Sequence, residues 1–178
     1  MVLREVKKND KDKILKIYDE YLDSQLIEGI DRFEGVRNLE HLSKLTFEEW
    51  LEELDYYKDE NRLRKDLSPQ TTYLAIENDE IVGFINIRWK AVPKLLDNGG
   101  FIGYSIVPSK RGKGYGSEML RLALKEISKD KFEKVLITCK DFNTASKKVI
   151  EKNNGILENT DYSEENGCIY LRYWIDIK

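Results

Sequence analysis

Cysteine is scarce: Cys139 and Cys168 are the only two in 178 residues. Two such thiols build neither a disulfide framework nor a metal-ligand spacing, so a reducing, cytoplasmic setting is the default expectation. Histidine is scarcer still, with His41 the one copy, and no metal centre is expected. No run of 18 apolar residues occurs, so no membrane-spanning helix is expected. The opening Met1-Val2-Leu3-Arg4-Glu5 lacks the apolar core of a signal peptide. Nor is there a basic excess. Thirty Lys and Arg against 33 Asp and Glu leave a net charge of −3, which argues against a general nucleic-acid binder. Repeats, low-complexity tracts and linkers are missing too. What these absences leave is one soluble domain over residues 1–178, large enough to bury roughly 70% of its unfolded surface.

The most informative stretch runs from Ile106 to Ser117, IVPSKRGKGYGS. An apolar run, Phe101 to Val107, precedes it and reads as a buried strand. Met119, Leu120, Ala123, Leu124 and Ile127 follow it at helical spacing. Gly112, Gly114 and Gly116 therefore sit where a strand becomes a helix, and they remove Cβ atoms where backbone must bend and approach a ligand. The first N–H groups of a helix lack intrahelical partners and favour negative charge. Arg111 and Lys113 add two cations. Together these features describe a phosphate cradle. The dinucleotide pattern G-x-G-x-x-G fails at Ser117, and the Walker pattern G-x-x-x-x-G-K-[ST] fails as well. The plain alternative is a glycine-rich turn with two solvated cations.

Around this stretch the chain reads in order. Val2 to Val6 is a short strand. Asn9 or Asp10 caps a helix with Ile14, Ile17, Tyr18 and Tyr21 on its face. From Ser24 to Asn38 the pattern is weak, and Gly29 and Gly35 suggest a loop with one helical turn. Thr46 and Glu49 form a capping box before a helix with Phe47, Trp50, Leu51, Leu54 and Tyr57 inward and Glu48, Glu49, Glu52, Glu53 and Asp55 outward. Thr71–Ile76 and Ile81–Trp89 form a hairpin about Asn78-Asp79, and Pro93 to Gly100 is a loop. Val135–Cys139 is a strand, and a helix begins at Asn143 and stops at Asn154-Gly155. Ile156–Tyr162 and Cys168–Ile177 are the last strands. The order is β-α-α-β-β-β-α-β-α-β-β, an α/β chain with a mixed, mostly antiparallel central sheet of about seven strands flanked by helices.

Arg111-x-x-Gly114-x-Gly116 after a strand ending Ile-Val-Pro resembles the pyrophosphate loop, Q/R-x-x-G-x-G/A, of the GNAT superfamily of acyl-CoA-dependent N-acyltransferases. The element order matches that superfamily. A second motif, NTASKKVIEKNN from Asn143 to Asn154, is similar to its N-x-x-A/S-x-x-L/V-Y-E-K-x-G helix. The resemblance is strong over about residues 71–158 and poor before residue 70. It implies acetyl-CoA as cosubstrate, no metal, and a primary amine of a small molecule or of a protein or peptide N-terminus as acceptor. Nucleic-acid and membrane partners are not implied, and a homodimer stays open. It further implies that the Tyr104 N–H meets the thioester oxygen and that backbone groups of Ile106 and Val107 pair with pantetheine. The N–H groups from Arg111 through Gly112, Lys113, Gly114, Tyr115 and Gly116 to Ser117 would hold the pyrophosphate. Asn143 would contact the pantetheine arm, and Ser146 would protonate the leaving thiolate directly or through water.

Two departures bear on mechanism. Ile150 stands where many members have a Tyr that protonates the thiolate, and Gly100 falls near a position where some carry a general-base Glu. A Ser at the fourth motif position without the Tyr resembles the branch containing ribosomal-protein N-terminal acetyltransferases. The chemistry narrows the needs independently. A neutral amine is rare at pH 7, so a base or a water chain must take its proton. The tetrahedral oxyanion needs fixed donors. A thiolate, with a pKa near ~8.5, leaves with little help. Plainer readings stand beside these. Asn143 also suits an N-cap, Ser146 a surface hydroxyl, and Arg88, a candidate partner for a substrate carboxylate, a solvated strand residue. His41 reads first as packing and second as a base. The acidic helix face reads first as solvation and second as a lip that attracts a cationic amine. Two functions follow: a catalytic N-acetyltransferase, or a non-catalytic acyl-CoA-binding or sensing module of the same fold.

Overall fold

A computed structural model describes residues 1–28, 35–164 and 166–178. The elements are β1 (Val2–Glu5), α1 (Lys11–Glu28), α2 (Phe47–Lys58), β2 (Gln70–Glu77), β3 (Glu80–Arg88), β4 (Ile102–Ile106), α3 (Tyr115–Glu126), β5 (Lys134–Lys140), α4 (Thr144–Lys152), β6 (Ile156–Ser163) and β7 (Cys168–Asp176). This is the order read from the sequence. The β2–β3 turn places Asn78 and Asp79 at φ +48° and +62°, the left-handed pair that a tight hairpin requires. The capping box on α2 forms, with the Glu49 carboxylate accepting from the Thr46 N–H at 2.7 Å.

The seven strands of the described residues divide into two antiparallel sheets, β1-β2-β3-β4 and β5-β7-β6. Each face of the four-stranded sheet carries its own core. Ile14, Trp50, Leu74, Phe84 and Val107 pack with α1 and α2 on one face. Ile85, Ile102, Met119, Leu120 and Ile150 pack with α3, α4 and β5 on the other. Alternation along β3 and β4 makes this possible, because successive side chains point to opposite faces.

The two sheets meet at the start of β4, where the Phe101 N–H donates to the Leu136 carbonyl at 2.7 Å. Beyond that bond they split, and the hydrogen-bond parity says which groups face the split. Arg88 N–H donates to Phe101 O at 2.9 Å and Val107 N–H to Val82 O at 3.0 Å, in an unbroken register. Antiparallel pairs alternate, so Gly103 and Ser105 also turn their backbone groups to β3, while Ile102, Tyr104 and Ile106 turn theirs to the open edge. The same count on β5 holds from the Asp141 N–H bond to Ile169 O at 2.9 Å. It turns Leu136, Thr138 and Lys140 toward β4.

Three readings change. The strand before the glycines is not buried throughout: Gly103 to Ile106 are half-exposed, because β4 is an edge strand of its sheet. The first helix runs on to Glu28, past the point where the pattern weakens at Ser24; Gly29 lies outside the described residues. The loop before β4 contains a wide helical turn, Leu95–Gly99, closed by Gly100 at φ +63° with its N–H on Leu95 O at 2.8 Å.

Candidate active site

The cradle is built in steps. Pro108–Lys110 forms a single 3-10 turn after β4. Its base is tied down by the Ser109 N–H on the Glu20 carboxylate at 2.5 Å and by a Lys110–Glu80 ion pair at 2.7 Å. Gly112 and Gly114 then take φ +77° and +82°, and Gly114 caps α3. A Cβ added at either would meet nothing within 4 Å, so the concave side of the loop is open. Among the described residues, no N–H from 112 to 117 bonds a backbone carbonyl outside α3. These are donors without acceptors at a helix N-terminus, with Arg111 and Lys113 exposed beside them. That donor set fits a pyrophosphate. Gly116 has a different job from its two neighbours. A Cβ there would lie 3.1 Å from Val149 Cγ2, so this glycine lets α3 pack closely on α4. Asn153 ties the same helices, its amide donating to Ser117 O at 3.0 Å and Val149 O at 2.9 Å.

Of the two strand residues assigned to pantetheine, Ile106 faces the split. Val107 does not: its N–H is bonded to Val82 and its side chain is buried against α1 and α2. Arg111 Nε donates to Ile106 O at 3.4 Å. Asn143 is the N-cap of α4, its side chain accepting from the Ser146 N–H at 3.0 Å, so the capping reading holds whatever else Asn143 does.

Tyr104 reaches from β4 toward α4, and its hydroxyl lies 2.8 Å from Ser146 Oγ and 3.3 Å from Ser146 O. Burial pushes the Tyr104 phenol up, opposed by the Ser146 hydrogen bond. Burial likewise raises the Cys139 thiol, opposed by the neighbouring Ser146. Tyr104, Ser146 and Cys139 thus form one cluster beside the split. Ile150 is wholly buried in the α3/α4 core. A phenol on β4, that of Tyr104, instead lies against α4 at Ser146. Gly100, wedged with its would-be Cβ 3.1 Å from Leu136 O, has no room for a general base.

The α1/α2 face of β4 carries residues the sequence did not single out. Tyr21 Oη donates to Ser105 Oγ at 2.9 Å. Gly35, at φ +77°, lies so close on β4 that a Cβ would stand 2.3 Å from Tyr104 Cα. Asn86 is buried on β3 between Thr72 and Gly103. Arg88 lies beside them, donating to Gly99 and Gly100 carbonyls at 3.4 and 3.3 Å. No motif marks Gly35, whose contact on Tyr104 lies on a distant element, or Asn86, whose partner Thr72 lies across the β2–β3 hairpin. His41 is not packed in the core: its Nδ1 sits 2.9 Å from the Glu53 carboxylate. The Asn38 amide bonds the same carboxylate. Among the described residues no group of His, Cys, Asp and Glu could hold a metal ion, and no helix is long and apolar enough to cross a membrane.

The model of the acetyltransferase (GNAT) domain family matches residues 1–155. The chain belongs to this family. In sequence, no curated relative matches it. Solved structures resemble it in fold. Mycobacterium smegmatis RimJ in complex with CoA-disulfide aligns at TM-score 0.71 and 17% identity, over 98% of this chain and 80% of that one. An acetyltransferase from Salmonella typhimurium that modifies the N-terminal serine of a 50S ribosomal subunit protein aligns at 0.67 and 18%, over 99% and 94%. A variant of the spermidine N-acetyltransferase SpeG from Vibrio cholerae aligns at 0.63 and 13%, over 99% and 95%.

Proposed function

We propose that this chain is a single-domain, cytoplasmic N-acetyltransferase that moves an acetyl group from acetyl-CoA to a primary amine, by direct attack with both substrates bound. One observation carries the reading: the open glycine cradle and the exposed backbone edge of β4 converge on the same split. Residues 111 to 117 would hold the pyrophosphate, with the N–H groups as ligands and Arg111 and Lys113 as counter-charge. Ile106 would pair with the pantetheine arm as an added strand does. Acetyl-CoA supplies the activated acyl group. The Tyr104 N–H, turned to the split, would donate to the thioester oxygen and to the charge that develops on it. The Tyr104 and Ser146 hydroxyls, hydrogen-bonded to each other, would return a proton to the departing sulfur. The acceptor amine would arrive from the α1/α2 face, past Arg88 and Gly103.

The fit of SpeG-like and ribosomal-protein acetyltransferase structures supports an amine acceptor of either small-molecule or N-terminal type. Acetyl-CoA binding by calorimetry, followed by free-thiol release across an amine panel, tests the reading. Binding with amine-dependent thiol release is expected. Binding without release for any amine would favour a non-catalytic acyl-CoA sensor.

A further inference from the structure

On the α1/α2 face, next to the edge that would hold the thioester, one polar group is buried and incomplete. Asn86 is 3% exposed. Its Nδ2 donates to Thr72 Oγ1 at 3.0 Å, and among the described residues its Oδ1 has no hydrogen-bond partner. An unpaired buried polar atom is destabilising, so a folded protein that keeps one has a use for it or fills it from outside. Exchanging the amide O and N changes nothing, since the Thr72 hydroxyl can donate as well as accept and the other end stays unpaired. That end points away from Thr72, because the two ends of a planar amide diverge. On the far side is Gly103, the register partner of Asn86 on β4. Gly103 has no side chain to fill the space, and the atoms nearest its would-be Cβ are Gly35 N at 3.4 Å, Gly35 Cα at 3.6 Å and Arg88 Nη1 at 3.7 Å.

We infer that Asn86 is a specificity-determining residue whose unpaired amide end takes an uncharged hydrogen-bonding group of the acceptor, an amide above all. This rests on the proposed acetyl transfer at the same split. Asn86 stands one strand in from β4, so the group it reads lies about 5–7 Å from the reacting amine, one to one and a half strand spacings. A peptide-like amine places an amide in that range. A plain alkylamine offers nothing to bond. A polyamine brings a second ammonium, and among the described residues around Asn86, namely Thr72, Gly103, Gly35 and Arg88, none is a carboxylate.

The test compares a dipeptide amide, an alkylamine of equal length and a linear polyamine, in the full chain with acetyl-CoA. Wild type should prefer the dipeptide amide. Asn86→Leu should lower kcat/KM for the dipeptide amide at least tenfold and for the alkylamine less than twofold, a change of ratio that a merely structural role would not produce. Gly103→Ala, which adds a methyl in ordinary contact, should lower the same ratio with the melting temperature kept, and it carries the test if Asn86→Leu does not fold. Equal losses on both amines, an unchanged ratio (a buried water only), or a polyamine turned over as well as the dipeptide amide would overturn the inference. If wild type acetylates no amine, calorimetry of the dipeptide amide with CoA-loaded protein decides instead. Binding that Asn86→Leu abolishes keeps the subsite while the transfer reading falls, and binding that is absent or unaffected overturns the subsite.

Discussion

The split in the sheet has two sides made in different ways. On the α3/α4 side, Tyr104, the glycine loop, Cys139, Asn143, Ser146 and Asn153 all come from fifty consecutive residues, 104 to 153. On the α1/α2 side, Tyr21 meets Ser105 and Gly35 meets Tyr104, pairs that span much of the chain, and Thr72 meets Asn86 across the β2–β3 hairpin. The α3/α4 side follows from a strand, a turn and a helix in sequence, so its geometry is fixed locally. The α1/α2 side exists only when α1, the segment at Gly35 and three strands have come together. It can therefore be altered by a change far from the split while the α3/α4 side stays intact.

Gly35 gives the sharpest break. At φ +77°, with a would-be Cβ 2.3 Å from Tyr104 Cα and 2.7 Å from Ser105 N, no side chain fits without moving backbone. Strain of this kind is worth about 1–3 kcal/mol before any clash is counted. Gly35→Ala should lower the melting temperature by several degrees and kcat/KM for the amine about a hundredfold. Acetyl-CoA affinity, measured by calorimetry, should fall less than threefold. Equal losses on both substrates would mean that the two sides are one unit.

Gly114→Val attacks the other side. The position has open space in front but φ +82°, so the variant should fold with about 1–2 kcal/mol of backbone strain. Its branched side chain would stand where a pyrophosphate approaches. Acetyl-CoA affinity should drop at least tenfold while the acceptor KM at saturating acetyl-CoA stays put. Unchanged affinity would sink the cradle assignment.

This asymmetry also explains what could be read in advance. The strand–turn–helix at Arg111, Gly114 and Gly116 is legible because its signal lies within six residues, and the element order is legible because periodicity is local. The edge position of β4 is not, since an apolar run looks the same in a central strand and an edge strand; only pairing decides. Val107 and Ile106 look alike in sequence for the same reason, although parity turns one inward and the other to the split. Asn86 and Gly35 gave no signal, because a glycine in a weak segment and an asparagine in a strand acquire their roles only across the sheet.

A smaller effect concerns the hydroxyl pair. Tyr104 and Ser146 are 2.8 Å apart, so they should act as a unit. Ser146→Ala should lower kcat about ten- to a hundredfold, at the low end of general acid–base help because a thiolate leaves readily. Tyr104→Phe should do about the same, and the double variant no more than the worse single one. Burial keeps the Tyr104 phenol above its ordinary value, so it remains a donor through the neutral range. The kcat–pH profile should show no descending limb below about pH 10. Additive losses in the double variant would separate the two groups. Restoring a phenol by Ile150→Tyr is not expected to help, since Ile150 is fully buried and a larger ring would overpack the core.

The smallest effect is expected where charge alone suggested a role. If the acidic face of α2 steered cationic amines, changing Glu48, Glu49 and Glu52 together to Gln would raise the acceptor KM in a salt-dependent way. The contacts point elsewhere. Glu48 is paired with Lys11 at 3.2 Å, Glu49 is spent on the Thr46 backbone and hydroxyl at 2.7 and 2.8 Å, Glu53 holds His41 and Asp55 holds Lys58 at 2.6 Å. The carboxyls of Glu48 and Glu49 lie below their ordinary values, each chiefly because a backbone N–H donates to it and then through Lys11 or the Thr46 hydroxyl. Groups lowered in this way stabilise the fold above the ordinary carboxylate pKa and lose that contribution as pH falls below it. Their work is thus local to the start of α2. The triple variant should keep the acceptor KM within twofold at low and high salt, and lower the melting temperature slightly, since Gln can still close a capping box. A KM that rises severalfold at low salt and recovers at high salt would restore the steering role and place α2 on the acceptor's path.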